Sequence, residues 1–351
     1  MNTIAIQQHR IGPNHRPFII AEMSGNHNQS LDRALAIVDA AADAGADAIK
    51  LQTYTADTMT IKASHGLFGI HDELSLWKGY TLHELYQQAY TPWEWHAPLF
   101  ERAKSRGMLA FSSPFDATAV DFLESLGAPL YKIASFENID HPLLRKVAGT
   151  GKPVIMSTGA ASLSDLAESV SVLRRHGCRQ LVLLKCTSTY PASPENSNIR
   201  TIPHLQQLFP DALVGLSDHT MGVGVPVAAT ALGACVVEKH FTLRRADGGV
   251  DSAFSLEPEE LALLRTETER AFLALGQVQY GVQEAEKGSL AFKRSVYVVE
   301  DVAEGEAFTP ENLRVIRPGG GLHPKYYDRL LGKTARRAFA AGTPLEFDDL
   351  L

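Results

Sequence analysis

Cysteine is scarce: the 351-residue chain carries 3, Cys178, Cys186 and Cys235, with no CxxC spacing. An odd count without paired spacing excludes a disulfide framework and a cysteine-built zinc site. Reduced thiols in a reducing compartment are the expectation. A cationic excess is lacking too, since 33 Lys and Arg face 40 Asp and Glu, giving a net charge of -7 and no basic block. Nucleic acid and anionic membranes are held by clustered cations, so neither partner is expected, although a local basic pocket stays open. No apolar run reaches the roughly 18 residues that cross a bilayer. The opening MNTIAIQQHRIGPNHRPFIIAEM lacks the apolar stretch behind a basic start that marks a secretory signal. A cytoplasmic location follows as an expectation. There is no long repeat, no low-complexity tract, and no GxGxxG after the first apolar run to support a dinucleotide site.

What is present is an ordinary globular composition, 45% hydrophobic and 21% charged. Eight short apolar runs alternate with longer amphipathic stretches. The runs are Phe18 to Met23, Ala48 to Tyr54, Leu109 to Pro114, Leu130 to Ser135, Pro153 to Thr158, Leu181 to Thr187, Leu213 to Asp218 and Cys235 to Phe241. Between them Leu31 to Ala44, Thr91 to Ser105, Ala117 to Ser125, Ser164 to Arg175 and Gly224 to Leu232 repeat apolar residues at helical spacing. Eight strand-then-helix units predict an α/β fold, a (β/α)8 TIM barrel over 1–276, whose last helix runs from Pro258 to Leu275. Residues 277–293 read as a polar linker. From Arg294 to residue 351 strand-like pieces are broken by Glu-Gly, Thr-Pro and Pro-Gly turns, which predicts a second, small domain. Its size allows only a small core, so it is expected to lean on the barrel or on another subunit. The stretch from Thr55 to Tyr90 is too long for an ordinary loop, includes a helical TLHELYQQAY, and is expected to cover the barrel mouth.

Polar residues gather at the C-terminal ends of the runs, where a barrel carries its active site. SDH at 217–219 and EKH at 238–240 end the last two strands, which are neighbours in a closed barrel. Their imidazoles, His219 and His240, can share one divalent cation with positions left open for water and a substrate oxygen. The plainer reading, separate packing, would be preferred for a lone histidine. Lys50, Lys132, Ser135, Ser157, Ser188 and Ser217 converge as cations and hydroxyls, a cradle for phosphate or carboxylate. A lysine among them is alternatively a Schiff-base nucleophile. Glu22, Glu137, Asp218 and Asp251 are candidates for sugar hydroxyls, a metal-bound water or acid/base work, and equally for orienting lysines. Trp77, Tyr86, Trp93 and Trp95 suit a lid or plain helix packing, and His27 and His96 have no neighbouring ligand partner. A third possibility is a noncatalytic carbohydrate-binding protein.

With these motifs in place the chain resembles the sialic acid synthase family along its length. The matching stretches are IAEMSGNHN at 20–28, AGADAIKLQTY at 44–54, FSSPFD at 111–116, YKIASFE at 131–137, MSTG at 156–159, KCTSTYP at 185–191, GLSDHTMG at 215–222 and EKHFTL at 238–243. The part from 294 to 351, with IRPGGGLHPKYYDRLLGK at 316–333, is similar to the antifreeze-like (SAF, β-clip) domain of that family. The resemblance implies an enzyme that condenses phosphoenolpyruvate with the aldehyde of an amino sugar and releases phosphate. It implies a homodimer in which one subunit's SAF domain closes the other's barrel, and a divalent ion on His219 and His240: Mn²⁺ or Mg²⁺, with Co²⁺ a further candidate.

By the same resemblance Lys50, Ser113, Lys132, Ser135, Ser157, Ser188 and Ser217 would bind phosphoenolpyruvate. Glu22, Gln52, Tyr190, Asp251 and a partner-supplied arginine at position 317, Arg317, would hold the sugar, and Glu137 would manage the water proton. Two departures stand out: CTS replaces the CTN common in N-acetylneuraminate synthases, and FSSP replaces the usual STP. MSGNHN in place of an IGVNHNG-type motif, the insertion at 76–96 and GLHPKYYD at 321–328 resemble the pseudaminate-forming branch. The acceptor would then be 2,4-diacetamido-2,4,6-trideoxy-L-altrose, with the N-acetylneuraminate and legionaminate precursors as alternatives.

Overall fold

The structure, a computed structural model, describes residues 3–73 and 75–350. Two compact units divide the chain, Met1–Gly276 and Gln277–Leu351. The first opens with an antiparallel hairpin of β1 (Ile4–Ile6) and β2 (His9–Ile11). A closed parallel barrel follows: β3 (Phe18–Glu22), β4 (Ala48–Thr53), β5 (Leu109–Pro114), β6 (Tyr131–Ile133), β7 (Val154–Ser157), β8 (Leu181–Cys186), β9 (Leu213–Asp218) and β10 (Val236–His240). β10 pairs back onto β3 with Val236 beside Phe18 and His240 beside Glu22. The eight apolar runs read from the sequence are the eight staves.

Alternation along each strand explains both surfaces of the wall. Phe18, Ile20, Ala48, Leu109, Phe111, Ile155, Val182, Leu184, Leu213 and Val236 form one cluster together with Ile4, Ile6 and Ile11 of the hairpin. This fills the barrel interior and plugs its N-terminal end. Residues of opposite parity pack outward: Ile19, Ala21, Ile49, Leu51 and Val237 meet helices Leu31–Asp43, His96–Ser105 and Pro258–Leu275. On the other side Ile133, Met156, Leu183 and Leu216 meet Ala117–Ser125, His141–Ala148, Leu163–Arg175 and Thr201–Leu208. Several helices begin where a side chain satisfies the free N–H groups of the first turn, as Ser30, Asp116 and Ser162 do. Two steps beyond the last interior apolar residue of several strands the same face carries a polar one, Glu22 after Ile20, Lys50 after Ala48, Ser113 after Phe111, Ser157 after Ile155 and Glu238 after Val236. The apolar barrel floor and the polar mouth therefore lie on one continuous side-chain face.

The second unit pairs β11 (Ser295–Val298) with β12 (Leu313–Ile316) in antiparallel fashion. Its core contains Val296, Val298, Phe308, Leu313, Leu330, Phe339 and Leu345. The connecting stretch read at 277–293 groups with this unit and contains the 3-10 helix Glu284–Phe292. Cys178, Cys186 and Cys235 are buried and unpaired. Among the described residues no helix is long and apolar enough to cross a membrane.

Candidate active site

A cavity of about 540 Å³ occupies the barrel mouth. Its wall includes Lys50, Gln52, Lys132, Ser135, Glu137, Ser157, Ser188, Tyr190, Ser217, His219, His240 and Asp251, all singled out in the sequence. Glu22 and Ser113 are buried against residues of that wall: Lys50 Nζ lies 2.9 Å from Glu22 Oε2 and 3.5 Å from Ser113 Oγ. Arg317 belongs to the second unit, directly after β12, and is exposed.

The lysines are tied to acids. Glu238 Oε1 accepts from Ser217 Oγ at 3.1 Å and lies 3.3 Å from Lys50 Nζ and 3.5 Å from Lys132 Nζ. Lys132 Nζ also donates to Ser157 Oγ at 2.8 Å. Burial alone would raise the Glu238 carboxyl, but the ammonium groups of Lys132 and Lys50 outweigh it and hold it low, so it stays charged. Glu22 behaves oppositely. Burial, with the negative charge of Glu238 adding to it, pushes it up to about 7 against the pull of Lys50. Burial also depresses Lys132. Two cations thus face one firmly charged acid and one that takes a proton near neutrality, which leaves the cradle able to accept an anion. Glu137 is lifted by burial to about 7, with Lys132 opposing, a position suited to proton transfer.

His219 and His240 bring their rings within 5.3 Å of one another. His219 Nδ1 lies 2.9 Å from the Thr187 carbonyl, so in the neutral ring that N–H donates there and Nε2 is the nitrogen left with a lone pair. His240 Nδ1 is buried without a hydrogen-bond partner, its nearest acid oxygen being Asp251 Oδ2 at 3.9 Å. Burial, reinforced by His219, holds His240 well below the usual imidazole range and therefore neutral. An orphaned nitrogen and a second ring with a fixed tautomer fit a divalent ion. Among the described residues no group of three or more His, Cys, Asp or Glu is placed for a metal. An ion here would complete its shell with water and substrate oxygen, as a Lewis-acid site requires.

The sequence did not separate residues of opposite parity. Asp218 turns to the outer side of the wall, where its carboxylate takes Lys239 Nζ at 2.9 Å and Thr220 Oγ1 at 2.9 Å, so it does not serve the mouth. Of the four aromatic candidates, Trp77 and Tyr86 line the cavity, and Trp77 Nε1 donates to the Val250 carbonyl at 3.0 Å. Trp93 instead stacks on Phe122 and Trp95 packs against His27. The insertion contributes Met59, Ile70, Trp77, Leu82, Leu85, Tyr86 and Ala89 to the cavity wall, which makes it the roof of the mouth. Burial drives His27 and His96 down to about 4; each sits in the packing, His96 Nε2 at 2.8 Å from Thr53 Oγ1.

Three residues acquire a place that sequence reasoning did not assign. Glu238 holds both lysines. Cys186 lines the cavity, and although burial would raise its thiol, the hydrogen bond and charge of His219 bring it down to about 6. The same contact offsets the effect of burial on His219 and holds that ring above its ordinary range. Ser24 lines the cavity beside Asp251. Counting cysteines for disulfides and zinc passed over Cys186, whereas its interior parity on β8 was a usable signal.

Residues 37–280 match the NeuB family and residues 293–351 match the SAF domain. The pseudaminic acid synthase of Helicobacter pylori is 43% identical over 336 residues, covering 95% of this chain and 98% of the relative. That of Campylobacter jejuni serotype O:2 is 43% identical over 332 residues, covering 95% and 96%. Among solved structures, the N-acetylneuraminic acid (sialic acid) synthetase of Leptospira borgpetersenii superposes with a TM-score of 0.73 at 33% identity, covering 82% of this chain and 95% of that one. With eight staves in order, a matching second domain and relatives of this likeness along nearly its full length, the chain belongs to the NeuB family.

Proposed function

We propose that the barrel mouth condenses phosphoenolpyruvate with 2,4-diacetamido-2,4,6-trideoxy-L-altrose and water, giving pseudaminic acid and phosphate. The observation that carries this reading is the meeting, in one cavity, of a lysine and serine cradle with a pair of imidazoles. Identity of 43% to two pseudaminic acid synthases, against 33% to the sialic acid synthetase, favours this acceptor. Lys50, Lys132, Ser135, Ser157, Ser188 and Ser217 hold the phosphate and carboxylate, with Ser113 supporting Lys50. Gln52, Tyr190, Asp251 and Glu22 address the sugar. Bound at His219 and His240, a divalent ion of the Mn²⁺, Mg²⁺ or Co²⁺ type supplies polarisation of the aldehyde oxygen. The enol C3 attacks the aldehyde carbon and forms the new C–C bond as the aldehyde π pair moves to oxygen, leaving an alkoxide and a cationic C2. Water then adds at C2, one of its protons passing to the alkoxide, and the C2–O bond breaks so that the added oxygen becomes the ketone and phosphate leaves with the other proton. In a homodimer the partner's SAF domain would bring its copy of Arg317 over this mouth, where a guanidinium fork suits sugar and carboxylate oxygens.

Incubating the protein with phosphoenolpyruvate, Mn²⁺ and each of three amino sugars, the altrose and the N-acetylneuraminate and legionaminate precursors, tests this by phosphate release and product mass. The highest kcat/KM is expected with the altrose. Preference for another sugar would move the specificity, and no release under conditions where a homologue turns over would remove the reaction. Borohydride with pyruvate or phosphoenolpyruvate should leave no adduct on lysine; trapping there would favour the aldolase reading.

Glu137 sits near Lys132, Lys50 and Asp140, with burial setting its value at about 7. If its carboxylate takes the water proton, kcat/KM for phosphoenolpyruvate rises with pH through that value. Glu137→Gln should lower kcat by about 10²-fold and remove that limb, consistent with the usual worth of a positioned general base. A limb unchanged in the variant assigns it to another group, Glu22 first, since it is raised to about 7 as well.

A further inference from the structure

We infer that Ser24 is a positioning residue for the acceptor sugar, its hydroxyl locking the Asp251 carboxylate and the Gln52 amide into one arrangement at the cavity wall. This rests on the reading of the mouth as an amino-sugar site. Ser24 follows β3 in a turn closed by the Asn26 N–H on the Met23 carbonyl at 3.1 Å, and its backbone is left-handed, with φ +47°. Such a position favours glycine, because a Cβ there crowds the backbone. The glycine of this turn is the next residue, Gly25, where an added Cβ would lie 3.2 Å from Ala89 Cα. Packing against Ala89 therefore explains Gly25. It does not explain why a strained serine stands at 24.

The side chain does. Ser24 is buried, its Oγ donates to Asp251 Oδ2, and it accepts from Gln52 Nε2 at 3.1 Å. A hydroxyl has a single hydrogen, so giving it to Asp251 leaves the lone pairs for Gln52. The other hydrogen of that amide goes to Glu22 Oε1, the Nε2 to Oε1 distance being 2.9 Å. With both hydrogens committed to the protein, Gln52 offers a ligand only its carbonyl. Asp251 stands in an irregular loop, one residue beyond Gly248 and Gly249, at φ +72° and +135°. The turn at 24 and 25, through the Ser24 hydroxyl and the Gly25 N–H, ties that carboxylate to the end of β3. Removing the hydroxyl takes one of two anchors from an acid and from an amide that, on this reading, both face the sugar.

Ser24→Gly keeps a backbone that glycine accepts readily, and Ser24→Ala keeps the methylene, so neither depends on the other to fold. In the full chain with Mn²⁺, both should raise KM for whichever of the three amino sugars the wild type uses by about tenfold or more, the worth of one hydrogen bond to a charged group. KM for phosphoenolpyruvate should stay within about twofold and the melting temperature of Ser24→Gly should not fall. A sugar KM unchanged in both variants, or both KM values rising together with lost thermal stability, overturns the positioning role alone. A wild type that uses none of the three sugars overturns the amino-sugar reading, and this inference with it.

Discussion

His219→Ala and His240→Ala should each lower Mn²⁺-dependent phosphate release by at least about 10³-fold, which corresponds to roughly 4 kcal/mol of transition-state stabilisation. On the shared-ion reading each substitution removes one of two protein donors, and among the described residues no group of three or more His, Cys, Asp or Glu is placed to make good the loss. Folding should be affected far less. His240 Nδ1 has no hydrogen-bond partner to abandon, and the aromatic neighbours of its ring are Phe254, Tyr190 and His219. For His219 the loss is one bond to the Thr187 carbonyl and the contact with Cys186, a cost of about 1 to 2 kcal/mol. Calorimetric titration of Mn²⁺, thermal melting and phosphate release on the same preparations separate the two effects. Wild-type metal affinity in either variant would contradict the shared-ion reading, and a collapse of the melting temperature would assign the histidines to the core.

The barrel was legible because each stave is a short apolar run ending in polar residues, and boundaries such as Leu109–Pro114 and Leu213–Asp218 coincide with those runs. The mouth was legible for the same reason, since strand ends in a barrel all open on one face. What the residues alone could not supply was parity. Glu238 and Lys239 are adjacent in sequence, yet one faces the interior beside Lys50 and the other the outer wall beside Asp218, and only the pairing with Ser217 and Asp218 of β9 tells them apart. One step of register exchanges a catalytic face for a structural one. The hairpin of β1 and β2 escaped notice because three-residue strands carry too little periodicity to read. Ser24 escaped for a different reason: its significance lies in a backbone angle and in a carboxylate more than two hundred residues away, and neither has a local signature.

Gly159→Ala should raise the KM for phosphoenolpyruvate by about 10²-fold or more while leaving the fold in place. A Cβ at 159 would lie 2.3 Å from Ser188 Oγ and 2.7 Å from Ser135 Oγ, closer than any real contact. The two hydroxyls are the ends of short side chains and can turn away, and the remaining neighbour, Ser135 Cβ at 3.2 Å, has to give by only a few tenths of an ångström. The backbone is otherwise tolerant, since Gly159 lies outside the positive-φ set and its carbonyl still takes Asn138 Nδ2 at 3.0 Å. Each hydroxyl bonded to an anion contributes roughly 1.5 to 3 kcal/mol, so displacing two costs about 3 to 6 kcal/mol of binding. The sugar KM should change much less, because Gln52 and Asp251 belong to a separate hydrogen-bond network. The paired variant Ser135→Ala with Ser188→Ala reproduces the loss by deletion instead of displacement, and adding Gly159→Ala to it should then cost little more. Full additivity of the three changes would show that Gly159 acts elsewhere, and an unchanged phosphoenolpyruvate KM in Gly159→Ala would remove both serines from the cradle.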